Sequence, residues 1–312
     1  MRLRMMAGGA KSFFPLPWNY RGTGGTISAE YCYAVWLRHM VLVHQCGLST
    51  NPQTLVELGP GDSIGVGLMA LLTGTQSYRA LDVVPHVDVD RNLAILESLV
   101  HLLRSRTRVP DQEIMPQLYP RLEDYSFPSE VLTEGRLRHG LSDENVAAVR
   151  RAAESLREPA VPDQRVQYIC PWTNLSIVDP RTTDMIFTHG VLQDIDDLPA
   201  AFRAMHLWLK PSGVMSHHAD FSSADKTTPW NEHWTYPEWQ WRLIRGRRPY
   251  YINGQPLSTY LRLFEQFGFT VQKVTPTVGH GGVTRAQLAK RYRHVTDEDL
   301  VTQAAHIVAV KR

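Results

Sequence analysis

Apolar residues fall along this chain in two alternating rhythms. Dense runs of strand length occur seven times, at Leu55–Leu58, Arg79–Val84, Val166–Cys170, Asp184–Thr188, Gly213–His218, Phe269–Val274 and Ala304–Val310. Between most of them the spacing widens to three and four. Leu198, Phe202, Met205 and Leu209 follow it, and Lys210-Pro211-Ser212-Gly213 closes that helix. Leu257, Leu261 and Phe264 repeat it, opened near Pro256 and stopped by Gly268. Such alternation predicts an α/β fold: a mostly parallel sheet covered on both faces, with ligands at the carboxyl ends of the strands.

Other stretches exceed a minimal sheet. Residues 1–50 read as an aromatic segment (Phe13, Phe14, Trp18, Tyr20) leading into a helix with Ala34, Leu37 and Val41 on one face, packed on a core of residues 51–312. Within that core, residues 85–165, 221–255 and 275–303 read as insertions. The first carries two helical stripes, Leu93-Leu96-Val100-Leu103 and Val146-Val149-Ala153-Leu156, the latter behind Ser142 as N-cap. The second is rich in tryptophan. In the third, Thr284-Arg285-Ala286-Gln287 reads as a capping box and Thr296 with Asp297-Glu298-Asp299 as a second helix start, forming a lid or a subunit contact. The first two are expected to roof a pocket over the strand ends; extra helices that merely enlarge the core are the alternative.

Composition narrows the class. With 43% hydrophobic and 21% charged residues among 312, the chain suits one or two globular domains, and no run reaches the roughly 18 apolar residues of a membrane span. A net charge of +2 argues against a nucleic-acid track. Cys32, Cys46 and Cys170, with no CxxC pair, fit reduced thiols in the cytoplasm better than disulfides or zinc. Met1 to Lys11 is basic but lacks an apolar core before Pro15 and Pro17, so a loose terminus is expected rather than a signal peptide.

The chemistry concentrates in Glu57-Leu58-Gly59-Pro60-Gly61-Asp62-Ser63, placed between a short apolar run and the helix-compatible Ile64 to Leu72. Glycines at a strand-to-helix turn let backbone N–H groups approach a ligand. Glu57 would repel a diphosphate and suits a ligand that is cationic near the loop. Asp82 lies 21 residues beyond Gly61, the spacing at which an acid meets ribose hydroxyls. Histidines cluster at later strand ends: His189, then His217 and His218 with Asp220. His217 is the favoured general base, with Asp220 orienting it or acting as a second candidate beside His189. Neighbouring strand residues point to opposite faces, which makes a metal site of two histidines and Asp220 awkward, so no metal is expected. Trp230, His233, Trp234 and Arg247, with His218, combine aromatic faces and hydrogen-bonding groups suited to a polar acceptor such as a sugar.

The loop resembles motif I, E/D-x-G-x-G-x-G, of class I S-adenosylmethionine (SAM) methyltransferases, with Ser63 where the third glycine usually stands. Asp184 to Leu198 is similar to that family's D-x-I-x-x-x-x-V-L-x-H-V-x-D, and Leu207-Trp208-Leu209-Lys210-Pro211-Ser212-Gly213 to its L-K-P-G-G turn. The resemblance implies a Rossmann-like seven-stranded sheet, SAM as cofactor, and a cofactor site at Glu57, Gly59, Gly61, Asp62, Ser63, Asp82, Val83, Trp172, Thr188 and His189. Departures matter. Asp194 stands where many relatives have histidine, and the third-strand acid has no counterpart, leaving Trp172 to stack on adenine or to pack as core. The expected activity is O-methylation of a small polar acceptor, a sugar, glycan precursor or secondary metabolite. A SAM- or nucleotide-binding regulator without turnover is the rival, and an NAD(P) oxidoreductase is disfavoured by Glu57. Oligomeric state stays open.

Overall fold

The computed structural model describes residues 2–14, 25–158, 163–172, 174–224, 227–248 and 250–312. Helix α1 (Arg2–Lys11) and helix α2 (Ala29–Gln45, capped by Ser28) precede strand β1 (Thr54–Leu58), helix α3 (Gly65–Leu72) and strand β2 (Ser77–Leu81). Helices α4 (Val89–Arg104), α5 (Glu134–Gly140) and α6 (Asp143–Glu154) come next, then β3 (Val166–Ile169), β4 (Thr183–His189), α7 (Leu198–Trp208) and β5 (Leu209–Asp220). The chain ends with α8 (Glu238–Arg245), α9 (Leu257–Gln266), β6 (Phe269–Val278), α10 (Asp297–Val301) and β7 (Thr302–Lys311).

All seven expected strands form, in the order β3-β2-β1-β4-β5-β7-β6. Six run in one direction, and only β7 is reversed, antiparallel to both β5 and β6. The centre is buried on both sides, which is why β1 reads as Leu55-Val56-Glu57-Leu58 without polar alternation beyond its one acid. On one face α2, α3, α4 and α6 bury Trp36, Leu68 and Leu99 against Leu55, Phe187 and Val214. On the other, α7 and α9 bury Phe202, Trp208 and Phe264 against Val56, Ile186 and Met215. Val214, Ser216 and His218 therefore lie on the α2 side of β5, and Met215, His217 and Ala219 on the α9 side.

The insertions reach the strand-end cavity only at its edge, through His86 and Tyr250, and most of their residues pack elsewhere. Residues 85–165 pack sideways on the α2 face, because α4 and α6 carry apolar stripes that need a partner. Arg38 of α2 ties their loop down: buried, it donates to the carbonyls of Pro110 (2.7 Å) and Pro120 (3.2 Å). In the second segment Trp230 and Trp234 are core residues on the α9 face. The third builds both capping boxes, the first on a 3-10 turn at Arg285–Gln287 and the second on α10. It inserts Val283, Leu288, Tyr292 and Val295 beside those tryptophans. The start of the chain is also ordered. Helix α1 packs Met5 against Trp241 and Ile244 of α8, so closely that a Cβ on Gly9 would lie 2.0 Å from the Leu243 carbonyl oxygen. Trp18 and Tyr20 fall outside the described residues.

Candidate active site

A cavity of about 580 Å³ opens at the carboxyl ends of β1, β2 and β4. Gly59, Pro60 and Gly61 form one wall; Leu81, Asp82, Val83 and Trp172 form the next. The loop turns with φ of +69° at Gly59 and +74° at Gly61, the left-handed region that glycine adopts freely. A Cβ on Gly59 would stand 2.5 Å from Val191 Cγ2, which lines the opposite side. The Asp82 carboxylate accepts from the backbone N–H of Val83 (2.7 Å), Val84 (3.3 Å) and Gly61 (3.4 Å), which locks β2 to the glycine loop. Burial raises its pKa, opposed by those three donors.

Four residues expected at the cofactor do not line this cavity. Glu57 lies under the loop, where the Tyr78 phenol donates to it, and burial pushes its carboxyl up to about 8. Burial thus works against the charge expected of it at the loop, which a cation above it would favour. Asp62 is buried, its carbonyl accepting from Arg91 (3.0 Å). Thr188 turns inward to the His217 ring, Oγ1 to Nδ1 2.9 Å. Ser63 acts one step removed: its Oγ donates to the Thr26 carbonyl and accepts from Gly65 N–H (3.1 Å), while its own N–H donates to Thr26 Oγ1 (3.2 Å). It thereby holds Thr26, which with Gly25 lines the cavity.

At the far end stand Tyr31, His189, Asp194, Asp196 and Tyr250. Asp194 ends a 3-10 turn, Leu192–Asp194, and has its carboxyl pushed up to about 7 by burial, with Asp220 and Asp196 adding to the rise and Arg245 opposing it. Arg245 is engaged with Asp196, Nε to Oδ1 3.2 Å and Nη2 to Oδ2. Asp220 is behind Asp194 rather than in the wall, accepting from Ser222 N–H (2.8 Å).

The histidine favoured as base is misplaced. His217 is fully buried against Phe264 on the α9 face, away from the cavity, and burial alone lowers it to about 3. Its neighbour His218 takes the cavity side, its ring stacked on that of His189 at 4.6 Å. The aromatic acceptor surface is corrected as well. Trp230, His233 and Trp234 are buried among themselves and Tyr292, in the cluster to which Val283, Leu288 and Val295 also belong. Arg247 is exposed, 5.3 Å over the Phe13 ring. Tyr250, from the Trp-rich segment expected at the acceptor, does reach the cavity, whereas Thr26, Tyr31, Asp194 and Asp196 are among the lining residues that sequence reasoning did not select. Only Asp194 carried a signal, as the departure inside the fourth-strand block.

The sequence profile of a methyltransferase domain matches residues 43–274, more than half of the chain. The chain belongs to the methyltransferase-domain family. It is a SAM-dependent methyltransferase, and its strand order and the antiparallel β7 are those of the expected Rossmann-like sheet. Among solved structures, it is similar to a SAM-dependent methyltransferase from Mesorhizobium loti, at 14% identity and TM-score 0.44 over 89% of this chain and 98% of that one. It is also similar to phosphoethanolamine N-methyltransferase 2 of Haemonchus contortus bound to SAM, at 12% identity and TM-score 0.43 over 91% and 57%. A third similar structure is the [4+2]-cyclase SpnF, at 12% and 0.43 over 99% and 91%. No curated protein sequence matches. Among the described residues no helix is long and apolar enough to cross a membrane.

Proposed function

We propose that this methyltransferase transfers the methyl group of SAM to a hydroxyl oxygen of a small polar acceptor, with Asp194 receiving the hydroxyl proton. The glycine loop, Asp82 and Trp172 suit the cofactor: backbone pared down at Gly59, a buried carboxylate for ribose hydroxyls, and a ring beside Val83 for adenine. SAM supplies the methyl on a sulfonium that is already a good leaving group. The protein's task is then alignment and proton removal.

The observation that supports the reading is a cavity-lining carboxyl held at about 7. A base works best when its pKa lies near the operating pH, and an alcohol must lose its proton when its oxygen takes the methyl. His189 and Tyr31 lie beside it to orient the acceptor. A sugar, glycan precursor or secondary metabolite in the cytoplasm fits this size and polarity, and the net charge of +2 does not favour nucleic acid.

Labelled SAM with a panel of hydroxylated acceptors tests it. Asp194→Asn is expected to lower turnover by about 10²–10⁴-fold while S-adenosylhomocysteine binds as before. Methylation at nitrogen, or full turnover by Asp194→Asn, overturns the reading.

A further inference from the structure

Under the acceptor end of the cavity, four histidines meet on the α2 face of the sheet: His39 from α2, His189 at the end of β4, His218 from β5 and His306 from β7. Three are joined in one hydrogen-bonded chain. His189 Nδ1 lies 3.3 Å from His39 Nε2, His39 Nδ1 lies 2.7 Å from Ser216 Oγ, and Ser216 Oγ lies 2.9 Å from His306 Nε2. The chain stops there, because His306 Nδ1 is buried without a partner. At its other end His189 lines the cavity, and with Nδ1 turned to His39 its Nε2 is the nitrogen left for a ligand. Its ring is gripped by His218 at 4.6 Å and by the Tyr31 edge at 6.1 Å. Burial and mutual repulsion hold His39, His189 and His306 well below the ordinary histidine range, so all three are neutral.

A neutral imidazole has one N–H and a serine one O–H, which leaves three ways to order the hydrogens. If the donors point away from the cavity, the last N–H falls on His306 Nδ1, buried with nothing to accept it. If both His39 and His306 donate to Ser216, its hydroxyl hydrogen is stranded instead. Only the third order strands no donor: His306 Nε2–H to Ser216, Ser216 O–H to His39 Nδ1, and His39 Nε2–H to His189 Nδ1. Buried donors without acceptors are rarer than acceptors without donors. We propose that His189 presents a fixed Nε2–H donor to the methyl acceptor, and that His39, through Ser216 and His306, is the positioning residue that puts the hydrogen there. The preferred acceptor is then an alcohol with a second oxygen beside the reacting hydroxyl, one bonded by His189 and the other deprotonated by Asp194. This substrate class rests on the reading of Asp194 above; the state of His189 does not.

The test uses the full-length protein labelled with ¹⁵N at histidine, with long-range ¹H–¹⁵N spectra at neutral pH and His189→Gln to assign the resonances. The expected result is a single His189 tautomer, protonated at Nε2 and bare at Nδ1, that Ser216→Ala converts to a mixture. A bare Nε2 or an imidazolium in the native protein overturns the proposal, and so does a Ser216→Ala spectrum unchanged at His189. The spectra need no turnover, so they can fail while the Asp194→Asn loss stands, or the reverse. Among acceptors that are methylated, vicinal diols are expected to exceed simple alcohols in kcat/KM by at least about tenfold; equal values remove the second oxygen from the substrate class.

Discussion

His217 and His218 are joined by one peptide bond and live in opposite surroundings. His217 faces Phe264 and bonds only Thr188. His218 faces a wall of other imidazoles that ends in the cavity, and neither of its ring nitrogens has a partner. Strand alternation guarantees that two such neighbours diverge, but it does not say which of them meets the ligand. That phase is set by the helices. Helix α2 covers the side of β5 that carries Ser216 and His218, and Tyr31 and His39 of the same helix bring polar groups to it. Helix α9 brings Phe264 and Leu263 to the other. The polar face is the one that borders the cavity.

The largest expected effect that would sharpen this contrast is the pH dependence of turnover. With Asp194 near 7, kcat/KM rises as pH increases through about 7, because only the ionised carboxyl accepts a proton, and Asp194→Asn flattens that rise along with its loss of about 10²–10⁴-fold. A pH-rate profile on native and variant protein checks both. Next comes Asp82→Ala. Losing hydrogen bonds to a charged acceptor, each worth roughly 1.5–3 kcal/mol, should weaken S-adenosylhomocysteine binding at least about tenfold by calorimetry.

The two neighbours themselves give a smaller, split effect. His217→Leu leaves the Thr188 hydroxyl unpaired and should cost about 1–3 kcal/mol of stability in denaturant titration, with turnover unchanged. His218→Leu breaks no hydrogen bond but removes the ring that backs His189, and should lower turnover about fivefold to tenfold with stability nearly intact. The reverse pattern would break the comparison.

Smallest is the stability profile. Burial holds His217, His218 and His233 at about 3, about 4 and about 3, whereas unfolded they take up protons near 6.5. The unfolded chain therefore binds more protons across that window, and this stability is present above about 6.5 and lost as pH falls. Glu57 works in the other direction. Its folded value of about 8 exceeds the unfolded 4.5, so its contribution is present at low pH and lost as pH rises through 8. Stability should peak near neutrality, and Glu57→Gln should lessen the alkaline decline in denaturant midpoints.

Much of the scaffold was legible in the sequence, because strand runs, the Gly59 to Gly61 turn and the Asp82 spacing are imposed by backbone geometry within short windows. The capping boxes at Thr284 and Thr296 were legible for the same reason. The acceptor end was not. Thr26, Tyr31 and Asp194 come from remote segments that only the folded chain brings to one cavity. The tryptophans misled because a Trp-rich stretch reads alike whether it binds a sugar or fills a core. Trp230 and Trp234 fill the core, since residues 279–300 arrive to cover them. Glu57 misled because its charge was read from its residue type, while burial beneath the loop favours its protonated form even against the hydrogen bond that Tyr78 of β2, 21 residues on, donates to it.

That last pair gives the enzyme a hidden exchange. A carboxyl at about 8 carries a proton at pH 7, and it sits directly beneath the loop that Leu58 and Gly59 contribute to the wall. A ligand bearing a sulfonium and an ammonium favours the ionised form as it settles above, so part of a proton leaves for solvent with every cofactor that arrives. The heat of binding then includes the ionisation heat of whatever buffer takes up that proton. Measured in phosphate and in Tris at one pH, the native protein should give two different enthalpies and Glu57→Gln should give one.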